Sequence, residues 1–96
     1  MNYKIKVSIE AEAEIKKAKV WYENKQSGLG ERFSIVIKEH INKLKLSSVE
    51  HKIVFKNVRR VLTSQFPFVI YYTRDELKLE VKILAVLHER RQQYKE

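Results

Sequence analysis

Tyr3, Ile5, Val7 and Ile9 alternate with Lys4, Lys6 and Ser8. A period of two with one apolar face predicts a half-buried strand, and the lysines on its polar face suit a protected sheet edge. The period then changes. Ala11, Ile15, Ala18 and Tyr22 form one helical stripe, with Ser8 placed to cap it and Glu10 and Glu12 in its first turn. This helix is expected to end near Lys25–Gln26, ahead of Ser27-Gly28-Leu29-Gly30, where both glycines of the chain fall. A second stripe, Leu29, Phe33, Val36, Ile37, Ile41 and Leu44, predicts a helix from about Leu29 to Lys45. His40 lies on that stripe and reads as a packed or boundary residue. The short connection makes the two helices an antiparallel hairpin.

From residue 53 the pattern turns to β. Ile53-Val54-Phe55, Val58-Arg59-Arg60-Val61-Leu62 and Phe66-Pro67-Phe68-Val69-Ile70-Tyr71-Tyr72-Thr73 are separated by polar punctuation. Pro67 belongs at the start of its strand, where a missing N–H does no harm. After the turn Arg74–Lys78, the odd residues Leu79, Val81, Ile83, Ala85 and Leu87 are all apolar, whereas the even ones are charged early and apolar late. That predicts a central strand covered on both faces towards its end. The fold class is therefore α+β: an N-terminal strand, an antiparallel helical hairpin, then a mainly antiparallel sheet of three to four further strands, with the helices packed on one face. At 96 residues, without repeat or linker, residues 1–96 are expected to form a single domain.

Composition narrows the chemistry. No cysteine is present, which excludes disulfides and thiolate zinc sites. Three histidines make a histidine-rich metal centre a poor reading, and no metal or other cofactor is expected. No apolar run reaches membrane-spanning length, and the N-terminus lacks a signal-like stretch, so a cytoplasmic protein is expected. Twenty Lys and Arg against twelve Asp and Glu leave a net charge of +8, so the expected partner is anionic, a nucleic acid or an acidic protein. Five of the six arginines lie in the second half, and arginine suits bidentate phosphate or carboxylate contacts.

Phosphate loops, nucleophile elbows and zinc-helix motifs are missing from the sequence. One constellation stands out: His88-Glu89-Arg90-Arg91 with Tyr94, directly after the last strand. A group that titrates near neutrality, two fixed cations and a phenol are what metal-free phosphodiester cleavage needs. The same residues equally suit a solvated basic tail, and an intermediate reading makes them a binding surface for a protein or a phosphate backbone without catalysis. Arg59 and Arg60 sit on a nearby strand, one pointing to each face, preceded by Lys52 and Lys56. The expectation is one cationic face opposite the helical pair, formed where the final dozen residues emerge beside Arg59 and Arg60. Tyr71 and Tyr72 point opposite ways, which predicts one exposed ring able to stack on a base.

Several segments carry a resemblance. Trp21-Tyr22-Glu23, Gly28-Leu29-Gly30 followed by Arg32-Phe33, Val58-Arg59-Arg60, Phe66-Pro67-Phe68-Val69-Ile70-Tyr71-Tyr72 and Val86-Leu87-His88-Glu89-Arg90-Arg91 occur in this order. Together they resemble the RelE/ParE superfamily of toxins from bacterial type II toxin–antitoxin systems, from about Ile5 to Tyr94. The resemblance implies a cognate antitoxin protein as partner, and one of two targets. ParE-like members poison DNA gyrase. RelE-like members bind the ribosome and cleave mRNA without a metal; there His88 and Tyr94 would be catalytic, and Arg59, Arg60, Arg90 and Arg91 would hold phosphate. The ribonuclease branch commonly has an arginine in the strand that here reads Phe68-Val69-Ile70-Tyr71-Tyr72, which has no basic residue. The Phe-Pro-Phe opening and the Leu87–Arg91 ending resemble the ParE branch and its plasmid-stabilisation relatives. The resemblance thus favours a gyrase-directed toxin without enzyme activity, with an endoribonuclease as the alternative and a non-toxic basic RNA-binding module as the second alternative.

Overall fold

The computed structural model describes residues 2–46 and 51–91. The elements run β1 (Lys4–Val7), α1 (Ile9–Lys25), α2 (Leu29–Lys43), β2 (Ile53–Phe55), β3 (Val58–Leu62), β4 (Phe68–Asp75) and β5 (Glu80–His88). The order is the expected one. The strands form one sheet, β1-β5-β4-β3-β2, in which β1 lies parallel to β5 and all other neighbours are antiparallel. β1 is an edge strand, with Lys4 and Lys6 exposed. β4 is the middle strand, and β5 lies between it and β1 rather than at the centre.

Ser8 ends β1 by leaving the ladder. Its hydroxyl accepts the Ala11 N–H at 3.0 Å and starts α1. Ile9, expected to continue the strand's inward face, is instead the first residue of α1 and is 82% exposed. The helical hairpin closes through Glu23. Its carboxylate accepts the N–H groups of Gly28 at 2.8 Å and Gly30 at 3.0 Å. Gly28 adopts φ +88°, which favours glycine, and Gly30 is where α2 comes closest to α1.

Phe33, Ile37 and Ile41 of α2 bury against Phe68, Ile70 and Tyr72 of β4 and Val81, Ile83 and Val86 of β5. Phe33 and Phe66 stand at the heart of an aromatic cluster with Tyr22 and Phe68, at ring separations of 4.9–6.1 Å. The other sheet face carries a smaller cluster built on Val58, Val69, Tyr71 and Ala85. Tyr71 and Tyr72 do point opposite ways, but both are buried, at 4% and 1% exposure, so neither ring is offered to a base. The hydroxyl of Tyr72 meets Nδ1 of His51 at 2.7 Å.

The strict alternation expected along β5 fails at one residue. Tyr71 pairs with Ala85 and Tyr72 with Ile83, so Leu84 is extra. This β-bulge reverses the faces beyond it. Val81 and Ile83 face the helices, and so does Val86, whereas Leu84, Ala85 and Leu87 belong to the opposite face. Apolar residues on both parities from position 83 onward conceal the bulge in the sequence.

Candidate functional site

The bulge decides where the C-terminal constellation points. His88 turns to the helix side, its ring edge-on to Phe68 at 5.4 Å, and it is half-buried. The chain then makes a tight turn. The Glu89 N–H donates to the Pro67 carbonyl at 2.8 Å and the Arg91 N–H to the His88 carbonyl at 2.9 Å. The Arg90 N–H donates to His88 Nδ1 at 3.0 Å, so a neutral His88 carries its proton on Nε2.

These residues form one wall of a groove of about 460 Å³, and α1 forms the other. Trp21, Tyr22, Phe68 and Val86 give it an apolar floor, and Lys17, His88, Arg90 and Arg91 give it a cationic rim. Trp21 is 56% exposed, with the Lys25 ammonium 4.8 Å from its ring centre. Burial pushes the Tyr22 hydroxyl above its ordinary value of 10.0. Glu14 also lines the groove, where its carboxylate accepts the Val86 N–H at 2.8 Å. An exposed tryptophan beside arginines over an apolar floor is the composition of a protein-binding hot spot. The residue types after the last strand pointed to His88, Arg90 and Arg91, but the sequence reading missed Lys17, Glu14 and the role of Trp21. Their signal was helical spacing, since 14, 17, 18 and 21 lie on one face of α1.

Arg59 and Arg60 do not join this groove. They pair with Tyr72 and Tyr71, two strands from β5 and about 10–13 Å along the strand direction from the Phe68–His88 pair. Arg59 shares the helix-side face with Tyr72, and its guanidinium donates to the His51 carbonyl at 2.8 Å. Arg60 shares the opposite face with Tyr71. Lys52 and Lys56 lie farther out, at the β2 edge; the Lys52 carbonyl accepts the Arg60 N–H, and the Lys56 ammonium sits 5.4 Å over the Phe55 ring. Among the described residues, the expected single cationic face opposite the helices is therefore not formed. The bulge turns His88 towards the helices, and Val69, Tyr71 and Ala85 fill the opposite face between β3 and β5 with apolar packing. Tyr94 lies outside the described residues.

A second concavity, of about 500 Å³, opens on the other flank of α1, lined by α1, α2 and β1. Ile5, Val7, Ile15 and Ile41 floor it, and Lys16, Lys19, Lys38 and Lys45 rim it. Among the described residues, no group of three or more His, Asp or Glu side chains is placed to hold a metal ion. Among them, too, no helix is long and apolar enough to cross a membrane.

No curated protein matches the sequence. The fold is shared with a solved structure, the chromosomal ParDE toxin–antitoxin system from P. aeruginosa. The TM-score is 0.73 at 17% identity, over 90% of this chain and 95% of that one. At that identity the likeness speaks to the fold alone. The sequence itself matches the description "ParE toxin of type II toxin-antitoxin system, parDE" over residues 5–93, nearly its whole length. A match over so much of the chain shows its family: it belongs to the ParE toxins of type II toxin–antitoxin systems.

Proposed function

We propose that this chain arrests growth in the cytoplasm by binding DNA gyrase, and that a cognate ParD-type antitoxin neutralises it. The observation that carries this reading is the groove itself, an apolar floor of Trp21, Tyr22, Phe68 and Val86 ringed by Lys17, His88, Arg90 and Arg91. Phosphodiester cleavage needs an acid or base and its cations within reach of one phosphate. His88, Arg90 and Arg91 line the α1 groove, while Arg59 and Arg60 stand two strands away on opposite faces. What the groove does offer is apolar area ringed by charge, suited to an acidic protein surface. Its apolar floor supplies affinity, and its cations supply orientation and fast encounter. An antitoxin with acidic segments suits the same groove and the lysine-rimmed concavity beyond α1.

The test is supercoiling by purified gyrase with increasing amounts of the protein, alongside transcript integrity in cells after induction without antitoxin. Inhibited supercoiling, induction of the DNA-damage response and intact transcripts are expected. Normal supercoiling at a large excess of protein refutes the gyrase reading. Transcripts cut at codon boundaries replace it with the ribosome-dependent nuclease reading, for which His88 beside Arg90 and Arg91 is the favouring observation. Salt-sensitive RNA binding without growth arrest replaces both with the RNA-binding module.

A further inference from the structure

The groove depends on a β-bulge, and a bulge leaves backbone groups that the neighbouring strand does not satisfy. On the β1 side the parallel ladder stops at the Val7–Ile83 pair, with the Ser8 N–H donating to the Ile83 carbonyl at 3.0 Å. Beyond that point, among the described residues, β5 has no strand neighbour on this edge, and α1 takes over. The Ser8 hydroxyl donates to the Leu84 carbonyl at 3.1 Å while accepting the Ala11 N–H. Six residues along, the Glu14 carboxylate accepts the Val86 N–H at 2.8 Å. The first turns of α1 thus take the Leu84 carbonyl at the bulge and the Val86 N–H just beyond it, one on each side of Ala85.

We infer that Glu14 is a positioning residue for the toxin's groove: by accepting the Val86 N–H it holds the Leu84 bulge, and so turns His88 and the Arg90–Arg91 turn towards α1. The chain of contacts is short. Val86 is buried against the helices and His88 follows it on the same face, so the orientation of one peptide plane sets both. If the bulge slips out, the alternation from Ile83 continues unbroken. Leu87 then faces the helices, and His88 faces the side on which Arg60 lies. The carboxylate serves through its acceptor oxygen, so an uncharged side chain with the same oxygen at the same reach does the same work. The inference rests on the groove being the site of action, as proposed above, and goes beyond that reading in naming what shapes it.

The test compares Glu14→Ala with Glu14→Gln in the full chain. Three readouts are used: exchange of the Val86 amide hydrogen relative to that of Ile70 at the sheet centre, the nuclear Overhauser contact between the His88 and Phe68 rings, and the inducer dose that arrests growth at matched protein level. Taking the ratio to Ile70 removes any general loss of stability. In Glu14→Ala the ratio rises by about tenfold or more, as fits the loss of a hydrogen bond to a charged group, the ring contact weakens, and the arresting dose rises by about tenfold. Glu14→Gln restores all three to within about threefold. A Val86 ratio and a ring contact unchanged in Glu14→Ala overturn the inference, as does a glutamine variant that behaves like the alanine one. A double Arg90→Ala, Arg91→Ala variant separates the two claims. Full arrest by that variant refutes the proposed site of action, while exchange and the ring contact still decide what Glu14 does.

Discussion

Replacing Gly30 with alanine tests the account of the helical hairpin. In an ordinary exposed helix this change stabilises, by about 0.8–1.0 kcal/mol on intrinsic propensity. Here the opposite is expected. A Cβ at Gly30 would run into the Lys19 carbonyl oxygen and would stand 2.9 Å from Glu23 Cβ and 3.0 Å from Glu23 Oε1. The first two atoms belong to the α1 backbone or lie next to it, so no side-chain rotation relieves them. Carbon atoms rest about 3.5–4.0 Å apart, so α2 must retreat by roughly 0.6–1 Å. A gap of that size forfeits about a quarter to a half of each dispersion contact across it. The contacts at risk include the Tyr22–Phe33 stack, at 5.2 Å, and the hydrogen bond from the Gly30 N–H to Glu23. Overpacking of this kind costs about 1–3 kcal/mol, and Gly30 lies in the first turn of α2, where the propensity gain is least. A net loss of about 1–2 kcal/mol is expected, or about 4–16 °C in Tm for a domain this size. Urea and thermal unfolding of Gly30→Ala beside Glu31→Ala, an exposed neighbour, provide the measurement. A Gly30→Ala variant as stable as the parent refutes the close-approach argument.

Gly28→Asn is expected to cost less than about 1 kcal/mol, because no atom lies within 4 Å of a Cβ there and asparagine tolerates the left-handed backbone; chemical denaturation of the variant checks it. Ile83→Val, at a fully buried site, should lower stability by about 0.5–1.5 kcal/mol, whereas Ile53→Val, at 49% exposure, should stay within about 0.5; the urea midpoints compare them. His40 Nε2 accepts the Ser64 N–H at 3.0 Å; burial first, and then the Lys43 charge, hold its pKa below the ordinary 6.5 against the opposing pull of Glu39. The unfolded chain therefore takes up that proton first, so the His40 contribution is complete above pH 6.5 and is lost as the pH falls below it. The stability difference between the parent and His40→Gln, followed from pH 7.5 to 5, should narrow accordingly. Glu23 is held below 4.5 by the Gly28 and Gly30 N–H groups, so its contribution is present above that pH and lost as the pH falls through its folded value; Glu23→Gln should flatten this part of the acid-unfolding curve.

Much of the fold was legible because the two periods are clean. The stripe of Phe33, Ile37 and Ile41 has no second reading, and the boundaries of α1 follow from Ser8 and from the glycines after Lys25. In two places local backbone chemistry overrode the alternation: it runs cleanly on through Ile9, past the point where the helix begins, and from residue 83 onward, where apolar residues occupy both parities, it carries no information about faces. Ile9 lost its place in β1 because Ser8 is worth more as a cap than as a strand residue. At the Leu84 bulge the Ser8 hydroxyl receives the Leu84 carbonyl, and Glu14 receives the Val86 N–H just beyond it. Neither hydrogen bond is readable from a sequence, since each joins residues more than seventy positions apart.

The same reasoning divides the residues that carried the family resemblance. Tyr22, Phe33, Phe66 and Phe68 form the aromatic cluster, and Glu23, Gly28 and Gly30 lock the hairpin. Arg59 ties β3 to the His51 carbonyl. Their work is to hold the sheet and hairpin together, which is why the segments identify a fold so well and a target so poorly. The side chains that the proposed function assigns to a partner are the exposed ones of the groove, Lys17, Trp21, Arg90 and Arg91. A surface of this kind can exchange partners by changing its rim while the cluster beneath stays the same. Changes at Lys17 or Arg91 should therefore shift target or antitoxin affinity without moving Tm, and changes at Phe33 or Gly30 should move Tm first. A Lys17 variant that melts as early as a Gly30 variant would break that division.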